Sequence, residues 1–155
     1  MKNREIARQI QKINDLISKT SLACGGDIEL QAHWAKYLCV LSAGFVENAL
    51  SEIYGAYVDK AASPAVAKYA RANLSKIQNP KSTKFIEIAR SFKPDWGEDL
   101  EAFVGDDGRR EAIVSLLSNR HLIAHGQDSS ITISKVKDWL LKTVEVIEHI
   151  EDLCI

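Results

Sequence analysis

Side chains able to transfer protons and to bind an anion occur together in one short segment, residues 118–126, whose sequence is SNRHLIAHG. A histidine takes up or releases a proton near neutral pH, and a guanidinium can bind two oxygens of one anion. If the segment is helical, at about 100° per residue, His121 and His125 lie about 40° apart on its flank, close to Ser118. No other part of the chain combines residue types and spacing in a way that suggests chemistry.

Arg120 has an unusual position, in the middle of the apolar face that Ile113, Leu117 and Ala124 form on the predicted helix. A guanidinium keeps its charge and has to be paired when it is buried. Two interpretations remain open. In the first, Arg120 reaches solvent from the edge of the core or pairs with an internal carboxylate, for which Glu47 is the candidate. In the second, this face meets a second subunit and Arg120 points into a shared cleft.

The two histidines also have the H-x-x-x-H spacing of helical zinc sites. The glutamate of the H-E-x-x-H motif is replaced by Leu122, and no third ligand is evident nearby. We therefore expect no metal site and no cofactor. P-loop, G-x-G-x-x-G and G-x-S-x-G motifs do not occur in the sequence, which leaves the corresponding nucleotide-binding and hydrolase classes without support.

The composition predicts one soluble, cytoplasmic domain that spans residues 1–155. The 20 basic and 21 acidic side chains give a net charge of −1, so a phosphate site has to be a local cluster rather than a basic domain. Cys24, Cys39 and Cys154 lack metal-ligand spacing and fit reduced thiols. The longest uncharged run, residues 37–46, is about half of the roughly 20 residues that cross a bilayer, so we expect no membrane contact.

Apolar residues recur at helical spacing along nearly the whole chain, which predicts an all-α, up-and-down bundle of about five main helices. The second helix is apolar on all sides in its middle, which is typical of a central buried helix. Residues 131–133 resemble a small β-like patch. The first expected helix runs through Ile6 and Ile17 and ends at Cys24, the second covers about 28–61, and the third runs from Pro64 to about Ile77. Two short helical pieces follow, over about 85–92 and 96–104. The next helix runs from Arg109 to about His125, where Gly126 ends it, and the last begins at Ser134.

The segment NRHLIAHG resembles the R-polar-x3–5-H motif of HEPN domains, the higher eukaryote and prokaryote nucleotide-binding superfamily. Its AHG ending, followed by a polar link and a terminal helix, is similar to bacterial stand-alone HEPN groups, among them the RiboL-PSP-HEPN and MAE-type groups. The stretch LSAGFVENALSEIYGAYV also resembles their long second helix. This chain has His121 in the polar position and its asparagine, Asn119, before the arginine, whereas R-N is the commonest form.

The resemblance implies a homodimeric, metal-independent endoribonuclease with two motifs across a common cleft. Arg120 and His125 would be the catalytic pair, with His121, Asn119 and Glu47 in supporting roles. RNA would be the substrate, and its own 2′-hydroxyl would be the nucleophile, which leaves a 2′,3′-cyclic phosphate and a 5′-hydroxyl.

The resemblance also implies a biological setting. The protein would be a toxin or an anti-phage or stress defence effector, with a separately encoded antitoxin or enzyme as a further partner. The alternative is a non-catalytic HEPN module that serves as a dimerisation or adaptor unit, or as the regulatory subunit of a separately encoded enzyme.

Overall fold

The computed structural model describes residues 1–155 and contains seven α-helices and no strand, which confirms an all-α bundle. The core includes buried apolar side chains from all seven helices. The helices are α1 (Arg4–Cys24), α2 (Ile28–Ala61), α3 (Pro64–Leu74), α4 (Ser82–Phe92), α5 (Pro94–Val104), α6 (Arg109–Ala124) and α7 (Ile133–Leu153).

The bounds of α2 are set by a polar cap and a proline, as the sequence predicts. Asp27 Oδ1 accepts a hydrogen bond from the backbone N–H of Leu30 at 2.9 Å, which satisfies one of the free donors of the first turn. After the end of α2, Ser63 comes before Pro64, whose fixed φ suits the first position of α3. The predicted range of α2, about residues 28–61, is confirmed.

Between α3 and α6 the structure differs from the prediction. The third helix ends at Leu74 rather than near Ile77, because the N–H groups of Lys76 and Ile77 bond to carbonyls three residues back, in turns. The two short pieces that follow are complete helices of 11 residues each. Pro94 occupies the first turn of α5 and cannot continue α4, since it lacks an N–H. The seven helices therefore correspond to the five main helices and the two short pieces of the prediction.

The β-like patch at residues 131–133 is also wrong. Ile131 packs into the core with 7% of its surface exposed, and Ile133 is the first residue of α7. Thr132 caps that helix, since its hydroxyl oxygen accepts from the N–H of Lys135 at 3.2 Å. A β-branched run here serves as the entry to a helix, because no other extended segment is available to pair with it.

The long helix α2 is the centre of the bundle, as predicted. It packs against α1, α3, α6 and α7, and Leu38, Val46, Leu50 and Tyr54 are fully buried along it. Because it contacts four other helices, its middle needs apolar residues on every side. None of the seven helices is both long and apolar enough to cross a bilayer.

Helix α6 is fixed to the bundle at its start and in its middle. Arg109 donates a hydrogen bond from Nε to Glu145 of α7 at 2.9 Å, and its guanidinium lies 3.9 Å above the ring of Phe103. Ile113 and Leu117 are buried in the core. No residue of α6 after Leu117 is fully buried, although Ile123 still packs against the core, so the last two turns of this helix lie at the edge of the core.

Candidate functional site

The RHLIAH segment forms the end of α6, and Gly126 stops the helix. The last helical residue is Ala124, and His125 is the C-cap. Gly126 has a φ of +68°, a left-handed conformation that glycine adopts without steric cost. The N–H of Gln127 then bonds back to the carbonyl of Leu122 at 2.9 Å. This turn confirms the predicted stop and fixes the position of His125 on the last turn.

The imidazoles of His121 and His125 lie side by side, with ring centroids 4.4 Å apart and planes at 58°. Both residues are exposed. The other two histidines of the chain, His33 and His149, lie within ion-pair distance of carboxylates, whereas His121 and His125 have no such partner. The helical spacing placed the two rings on one flank, and the structure brings them into contact.

Arg120, in the last turns of α6, is half-buried. Its guanidinium lies near no carboxylate, in contrast to Arg71 and Arg109, which form ion pairs. A half-buried cation without a counter-charge is available to an anion that reaches it.

Glu47, the carboxylate that the sequence offered to Arg120, does not reach it. Its Oε1 accepts a hydrogen bond from the backbone N–H of Asn79, in the loop between α3 and α4. The pairing of Arg120 with Glu47 is therefore absent from the structure. Glu47 instead ties this loop to α2.

Asn119 connects α6 to the link that follows it. Its Nδ2 donates to the carbonyl of Ser115 at 2.8 Å, and its Oδ1 accepts from the hydroxyl of Ser129 at 2.7 Å. Both hydrogen-bonding groups of the amide are thus occupied within the chain. This geometry gives Asn119 a positioning role. Ser129 was missed at the sequence level, because an exposed-looking serine in a polar link carries no signal of a tertiary partner.

A groove of about 510 Å³ lies beside this helix end. One wall belongs to α6 and the other to the loop before α4 and to its first turn. His121 is shared between the groove and the histidine pair, whereas Arg120 and His125 lie outside the groove. The lining residues are Asn79, Pro80, Lys81, Ser82, Thr83, Ile113, Val114, Leu117, Ser118, His121 and Leu122.

The sequence contained a signal for the loop side of this groove that the overall charge conceals. Residues 60–86 include six basic side chains and no Asp or Glu. In a chain with a net charge of −1 this is a strong local imbalance, and such clusters mark anion-binding surfaces. The basic residues are Lys60, Lys68, Arg71, Lys76, Lys81 and Lys84.

The thiols are unsuited to act as nucleophiles. Burial raises the pKa of Cys39 to about 12, and burial likewise raises the pKa of Cys154 to about 12. The thiolate, which is the reactive form, is therefore scarce near neutral pH. No three His, Cys, Asp or Glu side chains converge closely enough to share a metal ion. The imidazoles at the end of α6 are thus the exposed groups best suited to proton transfer.

Comparison with known proteins gave one match. A family model described as RiboL-PSP-HEPN matches residues 2–155, a range that includes all seven helices and the RHLIAH segment. Neither curated proteins nor solved structures gave a significant match to the sequence.

Proposed function

Because the chain belongs to the RiboL-PSP-HEPN family, we propose that it is a metal-independent endoribonuclease in which Arg120 and His125 form the catalytic pair. The observation that best supports this proposal is the pair of exposed imidazoles, 4.4 Å apart, on the same end of α6 as Arg120, which is half-buried and forms no ion pair with a carboxylate. These are the groups needed to move protons and to hold a phosphate.

RNA supplies the nucleophile itself, so no metal-bound water is needed. The 2′-oxygen attacks the adjacent phosphorus, and its proton passes to an imidazole acting as general base. As the bond from phosphorus to the 5′-oxygen breaks, the leaving oxygen takes a proton from an imidazolium. Arg120 binds the non-bridging oxygens, where charge accumulates in the transition state. The products are a 2′,3′-cyclic phosphate and a 5′-hydroxyl.

The active form in this proposal is a homodimer. Attacking and leaving oxygens lie roughly in line on opposite sides of the phosphorus. His121 and His125 lie on successive turns of one helix and approach a phosphate from the same side. A second copy of the motif across a shared cleft would supply the group on the other side.

An enzyme that cleaves RNA inside the cell that makes it needs restraint. We therefore propose that the protein acts as a toxin or a defence effector against phage or stress, and that a separately encoded partner inhibits it. The same chemistry explains why a partner that covers the end of α6 would be an effective inhibitor.

The first experiment is cleavage of a labelled mixed RNA in the presence of EDTA. We expect His125→Ala to lower the rate at least about 100-fold, the usual contribution of a general acid or base, and Arg120→Ala to lower it by about 100-fold or more through loss of transition-state charge stabilisation. The controls are His33→Ala and Arg4→Ala, which remove an exposed histidine and an exposed arginine elsewhere. Product ends are identified by their cyclic phosphate. Unchanged cleavage in His125→Ala would exclude the assigned role.

Subunit mixing tests the homodimer. Native mass should correspond to two chains, and an excess of His125→Ala protein should lower wild-type activity further than dilution does, since mixed dimers lack one of the two motifs. An additive response, or a stable monomer with full activity, would refute the shared cleft. A folded dimer that cleaves no RNA would instead support the non-catalytic adaptor module.

A further inference from the structure

The groove beside α6 has apolar walls and a polar rim. Ile113, Val114, Leu117 and Leu122 line it from α6, with Pro80 opposite. Val114 is 48% exposed, so its side chain is accessible from the groove. An apolar cleft with a few polar groups at its edge is typical of a site for a flat, partly polar ring.

The rim contains amide, hydroxyl and imidazole groups that could bind the edge of such a ring. They belong to Asn79, Ser82, Thr83, Ser118 and His121. The side-chain oxygen of Asn79 is buried and has no hydrogen-bond donor within the chain. A buried acceptor without a donor is costly, and a ligand amine could supply that donor.

The loop side of the groove has two unpaired lysines, and the neighbouring Lys84 is paired with Glu87 at 3.5 Å. Lys81 lines the groove, and Lys76 and Lys81 both line an adjoining hollow of about 350 Å³ that shares this loop. Neither forms an ion pair, whereas Arg71 is bound to Asp59. The two lysines are therefore free to bind an anion along the outer edge.

The loop is held in place by contacts that leave this edge open. The N–H of Asn79 is bonded to Glu47, and Pro80 is buried. Asn79 has a φ of +42°, a left-handed conformation that asparagine tolerates better than most residues. A fixed loop presents its lysines and the groove wall in one geometry, which lowers the entropic cost of binding.

We propose that this groove binds one unpaired base of single-stranded RNA next to the cleaved phosphate, while Lys76 and Lys81 bind neighbouring phosphates. The location of the cleaved phosphate rests on the proposed function, since His121 belongs both to the groove and to the histidine pair. A base in a duplex is stacked and paired and cannot enter, so the substrate class is unpaired RNA.

A second copy of the chain suits this groove less well than RNA does. In a two-fold dimer centred on the groove, both copies of Lys76 and of Lys81 would be brought into one interface, since the same patch meets itself. Like charges at short range disfavour that contact. Phosphates of an RNA strand provide the opposite charge.

The test measures binding of a labelled, unstructured 12-nucleotide RNA to protein with the His125→Ala substitution, so that the RNA stays intact. Val114→Trp fills the groove, and we expect it to weaken binding about tenfold, as for loss of one base contact. Val66→Trp, at an exposed valine of α3, is the matched control and should change nothing. Val114→Glu is a second variant in case the indole disturbs folding.

Salt dependence tests the lysines separately. Each phosphate contact contributes a slope of about 0.7 to the plot of log affinity against log salt for single strands. Lys81→Gln should lower the slope by about that amount, whereas Lys19→Gln, at an exposed lysine of α1, should leave it unchanged. An unchanged slope in Lys81→Gln would remove this lysine from the binding surface.

Three results would overturn the groove assignment: unchanged affinity in both Val114 variants, an equal loss of affinity for duplex RNA, or conversion of a dimer to a monomer by Val114→Trp. The last result would assign the groove to a second copy. If the wild type cleaves RNA but the Val114 substitutions leave RNA binding unchanged, only the groove assignment is refuted. Groove-dependent binding without any cleavage would refute the proposed catalysis and leave the RNA site standing.

Discussion

The two polar residues that flank Arg120 have different surroundings, which leads to a prediction about each. Asn119 uses both sides of its amide within the chain, donating to Ser115 and accepting from Ser129. His121 is exposed, and its ring contacts only the neighbouring His125 among the aromatic side chains. We therefore predict that Asn119 supports the structure of the site, and that His121 acts on the RNA.

The magnitude follows from the two hydrogen bonds. Asn119→Ala removes both and leaves the half-buried Ser129 hydroxyl without its acceptor. At about 0.5–1.5 kcal/mol for each bond, the free energy of unfolding should fall by about 1–2 kcal/mol. For a domain of this size that corresponds to a melting temperature lower by about 3–6 °C. His121→Ala should stay within about 0.5 kcal/mol of the wild type, because the side chain is exposed.

Urea unfolding of a double-mutant cycle checks this assignment. Asn119→Ala, Ser129→Ala and the double variant should show a coupling energy of about 1 kcal/mol, since the residues share one hydrogen bond. Cleavage assays complete the test: His121→Ala should lose activity without losing stability. Additive effects of the two single substitutions, or a large loss of stability in His121→Ala, would refute the division of roles.

Two further predictions concern the scaffold. Gly97→Ala should destabilise the protein by about 1–3 kcal/mol in urea unfolding, because its new methyl group would lie 2.5 Å from Cβ and 3.0 Å from Cα of Arg90 on the adjacent α4. The control is Gly44→Ala, whose new methyl group would have nothing within 4 Å. This substitution should stabilise the protein by about 0.5–1 kcal/mol. Arg71 lowers the pKa of Asp59 through a hydrogen bond. The stabilisation from this ion pair is therefore present at neutral pH and is lost as pH falls below about 4. Asp59→Asn should flatten the fall in melting temperature with acid, and an unchanged fall would refute the role of this pair.

Helix ends were predictable where a single residue decides them. Asp27 caps α2, Pro64 opens α3 and Gly126 closes α6, and all three act through local backbone geometry. The start of α4 at Ser82 was not predictable, because its N-cap, Lys81, makes no side-chain capping hydrogen bond and so gives no local signal. The patch at 131–133 failed for a different reason, since β-branched residues at a helix entry and in a strand look alike in sequence.

The candidate site was partly accessible from helical spacing. Spacing alone brings His121 and His125 to one flank, and the structure confirms it. The same spacing placed Arg120 at the centre of an apolar face, but that face is buried only as far as Leu117, and Ile123 beyond it is partly buried against the core. Ala124, one turn beyond Arg120, is exposed. A periodic pattern gives the direction of a side chain and does not reveal where the core stops.

The net charge of −1 led the sequence interpretation to expect a local phosphate-binding cluster rather than a basic domain, and the basic residues are in fact unevenly distributed along the chain. Residues 60–86 have six basic and no acidic side chains, so the other 128 residues have 14 basic and 21 acidic ones. The total is therefore the sum of +6 in one segment and −7 elsewhere. At about 0.15 M salt, fields extend only about 8 Å, so an RNA strand at the groove experiences Lys81 and the lysines of the adjoining hollow rather than the average of the chain. Local charge, and not the total, decides which polymer this surface attracts.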